Sequence, residues 1–144
     1  MTTLSALDVF ALTLYGESRN QPVEGKIAVA NVIRNRLLTH RWGTSYEAVC
    51  LARLQFSCWT PIGGATNYRT LKTLKDQIIE GTLAPDKVLR ECYTIARVIM
   101  ADELQDSVAH ATHYYVSGTP EPHWAQGHEP VCTIGSHRFY SGIK

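Results

Sequence analysis

Leu4-Ser5-Ala6-Leu7-Asp8-Val9-Phe10-Ala11-Leu12-Thr13-Leu14-Tyr15-Gly16-Glu17-Ser18-Arg19 is the stretch on which the fold turns. Ser5 with Asp8 three residues on has the form of a helix-capping pair, and Leu4, Leu7, Phe10, Ala11 and Leu14 recur at helical spacing. The helix they predict delivers Glu17 at its C-terminal end. A second helix follows within a few residues, announced by Pro22 and by Glu24 near its positive end, and runs through Ile27, Ala30, Ile33 and Leu37 to about Thr39. Apolar residues surround much of it, which places it centrally in the core. A carboxylate at the end of one core helix and beside the start of another is set against apolar surface. A general acid working near neutral pH needs that environment, so Glu17 is the candidate catalytic acid.

The chain has 144 residues, of which 44% are hydrophobic, enough for one domain spanning 1–144 with a sizeable core. Fourteen basic and thirteen acidic side chains give a net charge of +1, without the strong basic face of a protein that lives on nucleic acid or anionic lipid. No run is long enough to cross a bilayer, and Met1-Thr2-Thr3-Leu4-Ser5 lacks the basic start of a secretion signal. The expectation is a chain made in the cytoplasm, with no membrane insertion. Cys50, Cys58, Cys92 and Cys132 contain no C-x-x-C pair. They read as four free thiols in that compartment, with a Cys50–Cys58 bridge the alternative for a protein working outside the cell.

Further along, Thr44 and Glu47 suggest a capped short helix ending near Leu51, and Gln55 to Asn67 reads as loop or short strand. Helices are expected at about Thr70 to Glu80 and Pro85 to Glu103, the latter with Val88, Cys92, Ile95 and Ile99 on one stripe. Thr112 to Val116 reads as a strand broken by Ser117-Gly118-Thr119-Pro120. Val131 to Ile134, Gly135-Ser136 and His137 to Tyr140 have the form of a two-residue hairpin. The expected class is α+β: mainly helical, with a small antiparallel sheet formed by the C-terminal segments.

Four ordered blocks carry a family resemblance. Leu14-Tyr15-Gly16-Glu17-Ser18-Arg19 with Glu24-Gly25-Lys26-Ile27-Ala28-Val29-Ala30-Asn31-Val32-Ile33-Arg34-Asn35-Arg36 resembles the opening signature of the SleB-like cell-wall hydrolases. Gln55-Phe56-Ser57-Cys58-Trp59 resembles their middle motif. Ala111-Thr112-His113-Tyr114-Tyr115 through Trp124, closing with Ile134-Gly135-Ser136-His137-Arg138-Phe139-Tyr140, resembles the C-terminal one. The resemblance covers about residues 12 to 140 and implies a lysozyme-like fold that cleaves peptidoglycan glycan strands, with Glu17 as the acid. Family transglycosylases cut between N-acetylmuramic acid and N-acetylglucosamine without consuming water. Spore enzymes of this kind often carry a wall-binding module and a signal peptide, which this sequence lacks. A phage or prophage lysin, released by a holin or mounted on a virion, is therefore the expected setting, and a monomer the expected state.

The chemistry runs parallel to the resemblance. Most glycosidases divide proton delivery and charge stabilisation between two carboxylates, whereas a transglycosylase can use one, with the substrate acetamido group stabilising the anomeric carbon. A hydrolytic muramidase would need a second carboxylate, with Glu24, Glu121 and Glu129 as candidates; Glu24 also reads as an ordinary helix-start Glu. Sugars stack on aromatic rings and take hydrogen bonds from a few amides and hydroxyls. Phe56, Trp59, Tyr115, Trp124 and Tyr140 are candidates to stack, and Gln55, Ser57, Asn31, His113 and His137 to hydrogen-bond. Strand alternation sets His113 and Tyr115 on one face, expected towards the groove, and Tyr114 and Val116 on the other. Asn31 and Asn35 lie at i,i+4 spacing and have the alternative role of satisfying buried backbone near Glu17. His110, His113, His123, His128, His137 and Cys132 would be the ligands of a zinc amidase, but they match no metal-site spacing, so neither a metal nor a cofactor is expected.

Overall fold

The capping pair forms as the sequence implies. Ser5 Oγ accepts from the Asp8 amide at 3.1 Å and Asp8 accepts from the Ser5 amide at 2.8 Å, satisfying donors that a helix start otherwise leaves unpaired. This is the start of α1 (Ala6–Ser18) in a computed structural model that describes residues 3–53, 55–61 and 65–144. The other helices are α2 (Val23–Thr39), α3 (Tyr46–Leu51), α4 (Ala65–Glu80) and α5 (Lys87–Met100). Three strands follow: β1 (His113–Val116), β2 (Cys132–Ile134) and β3 (His137–Tyr140).

Val9, Phe10, Ala11, Leu12 and Leu14 are all buried, so α1 is enclosed on every side rather than along one stripe. It packs against α2, α3, α4 and α5. The expectation of a central α2 also holds: Ala28 through Ile33 are without solvent exposure. α2 starts after Pro22 and ends on His40, which takes the left-handed conformation that closes helices. In α5 the buried stripe is Leu89, Cys92, Ile95, Ala96 and Ile99, and Asp86 caps it by accepting from the Leu89 amide at 3.0 Å.

Several boundaries differ from the sequence reading. α3 is capped by Ser45, whose hydroxyl accepts from the Ala48 amide, and not by Thr44. α4 begins at Ala65, five residues before the expected Thr70, and is anchored by buried Leu71 with Leu74 and Ile78 against the core. Of the expected Gln55–Asn67 loop, Ser57–Trp59 is a 3₁₀ turn and residues 62–64 lie outside the described residues.

The sheet has the order β1-β3-β2 and is antiparallel throughout. Ile134 pairs with His137 across Gly135-Ser136, the two-residue hairpin the sequence implies; Gly135 supplies φ 57°. Tyr114, Phe139 and Cys132 lie across from one another and share one face, which packs on Ala28 and Val32 of α2. His113, Tyr115 and Tyr140 lie on the opposite face, where Tyr115 and Tyr140 join Trp124, Ala125 and Ile143 in a separate apolar cluster. All four cysteines are free thiols.

Candidate active site

Glu17 stands on the last turn of α1, partly exposed. Its Oε1 accepts a 2.8 Å hydrogen bond from the Tyr114 hydroxyl and its Oε2 a longer 3.4 Å one from the Cys58 amide. The first partner is brought by the sheet, the second by the 3₁₀ turn, so the carboxylate sits where helix, turn and strand meet. Gly16 makes this meeting possible: a Cβ there would lie 2.5 Å from Cys58 Cβ and 2.8 Å from its sulfur. Burial, together with the Glu17 carboxylate, raises the pKa of the Tyr114 phenol, which therefore stays protonated as a donor. The same two causes, burial first, push up the Cys58 thiol, which is an inert core group here.

Clefts lie on both sides of the pair. One of about 320 Å³ is lined by Gly16, Glu17, Arg19, Asn20, Gln21, Asn67, Val116, Ser136 and His137. Within it Arg19 donates to Asn67 Oδ1 at 2.7 Å while Asn67 donates to the Gly16 carbonyl at 3.2 Å, fixing the end of α1 to α4. Gln21 Oε1 accepts from the Ser136 amide at 2.9 Å, joining the α1–α2 connection to the hairpin. The other cleft, about 410 Å³, is lined by Arg36, Arg41, Trp42, Gln55, His113, Tyr114 and Trp124. Among the described residues that line the two clefts, Glu17 is the only carboxylate.

The residues singled out from sequence separate into two groups. Gln55, His113, Trp124 and His137 line the clefts, and Ser57 is exposed one position before Cys58. His137 is buried with its ring edge-on to Tyr114 at 4.9 Å, and its Nδ1 has no partner among the described residues. The others point elsewhere. Asn31 is fully buried and donates to Ser107 Oγ at 2.9 Å, and Asn35 binds Asp106 and the Ala111 carbonyl; both tie the 104–111 segment to α2 rather than serving the Glu17 connection. Phe56 and Tyr140 are interior side chains, and Tyr115 stacks on Tyr140 at 5.9 Å. Trp59 turns its Nε1 to Thr13 Oγ1 at 2.8 Å, away from the clefts. The alternation read from sequence is right, and His113 lines a cleft as expected, but Tyr114 from the other face, not Tyr115, meets Glu17. Arg19, Arg36 and Tyr114 stand within the motif blocks; Asn67, Arg41 and Trp42 give no sequence signal of their own.

No three His, Cys, Asp or Glu side chains group as metal ligands among the described residues. Glu24, Glu121 and Glu129 are exposed and line neither cleft.

One buttressed carboxylate thus stands in a helical domain with a three-stranded sheet, lining one cleft and held by the tyrosine that lines the other, with aromatic and amide side chains along the walls. The comparisons give the family. The cell wall hydrolase family, Hydrolase_2, matches residues 20–140, and the chain belongs to it. The match begins three residues beyond Glu17. The chain is 28% identical over 133 residues to a spore cortex-lytic enzyme of Halalkalibacterium halodurans, covering 92% of this chain and 34% of that protein. It is 28% identical over 131 residues to the spore cortex-lytic enzyme of Bacillus subtilis, covering 91% and 36%. It thus spans about a third of the length of these relatives. In fold it is similar to the catalytic domain of the germination-specific lytic transglycosylase SleB from Bacillus anthracis, with TM-score 0.63 and 22% identity over 99% of this chain and 97% of that one. It is also similar to the catalytic domain of Bacillus cereus SleB, with TM-score 0.64 and 24% identity over 96% and 89%. The lysozyme-like α+β fold expected from the sequence is thereby the observed one.

Proposed function

We propose that the chain cleaves peptidoglycan glycan strands at the β-1,4 bond between N-acetylmuramic acid and N-acetylglucosamine, as a lytic transglycosylase in which Glu17 is acid and then base. The observation that carries this reading is the single carboxylate between two clefts. Family membership, the names of the spore cortex-lytic relatives and the fold likeness to a lytic transglycosylase support it.

With Oε1 engaged as acceptor by Tyr114, the acid's proton sits on Oε2, whose contact with the Cys58 amide is long. That proton passes to the glycosidic oxygen as the C1–O4 bond breaks, and N-acetylglucosamine leaves with its 4-hydroxyl. The acetamido oxygen of the muramoyl residue stabilises the positive charge at C1. The muramoyl 6-hydroxyl oxygen then bonds C1, and its proton returns to Glu17. Atoms balance without water, and the enzyme ends with the carboxylic acid it began with.

Digestion of purified sacculi in H₂¹⁸O tests the reaction. The expected soluble products are 1,6-anhydromuramoyl species without isotope. One ¹⁸O on each new reducing end would instead identify a hydrolase and require a second carboxylate, for which the clefts offer none among the described residues.

A further inference from the structure

The cleft on the Tyr114 side holds two cations and no anion. Arg36 is 5% exposed, and its Nε donates to the Thr112 carbonyl at 2.7 Å and one terminal nitrogen to Gln55 Oε1 at 3.2 Å. Both acceptors are neutral and engage two of its five donors. The guanidinium lies 4.5 Å from the Trp42 ring and 5.2 Å from Phe56. Arg41 stacks on the same indole at 4.4 Å and donates to the Ile143 carbonyl at 2.8 Å. Among the described residues neither arginine forms an ion pair, although Lys26 and Arg34 on the same α2 helix as Arg36 both do. A buried guanidinium is ordinarily paired with a carboxylate, because the charge is costly to desolvate alone. Its neighbour His113 reports the resulting field: burial and then the charges of Arg36 and Arg41 bring its pKa down to about 4, which keeps the imidazole neutral.

We propose that this cleft binds a carboxylate of the wall glycan, held by the Arg36 and Arg41 guanidinium groups beside the Trp42 and Trp124 rings. Tyr114 connects this site to the chemistry, since its side chain lines the cleft while its hydroxyl holds Glu17. A guanidinium presents parallel N–H donors that match a carboxylate fork, and the flanking rings suit the apolar edge of a sugar or a peptide backbone. Peptidoglycan offers this chemistry from two sources: the free carboxylates of the stem peptide, or the lactyl carboxylate of a muramoyl unit whose peptide has been removed. The inference rests on the peptidoglycan reading of the preceding subsection and adds to it that the enzyme selects substrate by charge.

The test uses Glu17→Gln protein, which holds glycan without turnover, and compares it with the Glu17→Gln, Arg41→Gln double variant. Arg41 is exposed, and thermal melts of the two proteins verify that the fold is kept. Probes are peptide-bearing strands, the same strands with carboxylates converted to amides, amidase-stripped strands with the lactyl carboxylate free, and chitin oligomers. Expected is a preference for peptide-bearing over amidated strands that falls about tenfold with Arg41→Gln and is only partly restored by Arg41→Lys. Binding of stripped strands as tight as that of peptide-bearing ones would assign the lactyl carboxylate, and weak binding of stripped strands the stem peptide. Equal affinity for native and amidated strands, or a preference that Arg41→Gln leaves in place, overturns the inference. Failure of the parent protein to cleave any wall glycan would instead overturn the peptidoglycan reading itself.

Discussion

The hydroxyl of Tyr114 lies 2.8 Å from Oε1 of Glu17, donating across 97 residues of sequence from the first strand to the last turn of the first helix. This bond occupies one carboxylate oxygen and leaves the other with only the longer contact to the Cys58 amide. It also joins the two clefts, since Glu17 lines one and Tyr114 the other.

Replacing Glu17 by Gln keeps shape and removes the transferable proton. The variant is expected to melt like the parent and to lose roughly 10²–10⁴-fold in turbidity clearance of sacculi. A residual rate above about a tenth of the parent's would move the acid to another residue.

Tyr114→Phe removes one hydrogen bond and leaves the ring packing on Phe139 and His137. Hydrogen bonds to charged groups contribute about 1.5–3 kcal/mol, so kcat is expected to fall by roughly ten- to hundredfold with KM little changed. A KM effect alone would show that the phenol binds substrate rather than orienting Glu17.

At Gly16 the obstacle is steric. Gly16→Ala places a methyl 2.5 Å from Cys58 Cβ, so the 3₁₀ turn must retreat from Glu17. Overpacking of this kind costs about 1–3 kcal/mol. Urea unfolding should show it, and Cys58→Ala, which keeps the Cβ, is expected to rescue the double variant only in part.

Acid sensitivity follows from His113, whose folded pKa of about 4 lies below the ordinary 6.5. Above about pH 6.5 the imidazole is neutral folded and unfolded, and contributes no pH dependence. On acidification from there to about pH 4 the unfolded chain takes a proton that the folded one refuses, so stability falls. For a half-exposed ring the loss is about 1–2 kcal/mol after solvent screening. Urea midpoints near pH 7 and near pH 4.5 measure it, and His113→Phe is expected to flatten the slope. His137, lowered by burial, contributes in the same direction.

Local signals were legible wherever the chain solves a local problem. Ser5 with Asp8 and the Gly135-Ser136 turn depend on neighbours a few residues away. Competition between adjacent hydroxyls, Thr44 and Ser45, already exceeded what pattern reading resolves. The groove was harder because its geometry comes from docking. Two-residue alternation states which side chains share a face, but Phe139 seated on α2 decides which face meets Glu17. Asn31 looked like a site residue because it is polar within an apolar helix, and its partner, Ser107, is 76 positions away. A net charge of +1 likewise conceals two arginines gathered on one indole.

The span between Glu17 and Tyr114 bears on when the site is assembled. Helices α1 to α5 are complete by Met100, while β1 and the hairpin that seats it come from the last 32 residues. Contacts of such separation form late, since a long loop must close before they gain anything. In a refolding experiment helical signal is therefore expected to recover ahead of lytic activity. During synthesis the Glu17 carboxylate stays without its Tyr114 partner until β1 and the hairpin that seats it have emerged, so the site is assembled only once the sheet has docked.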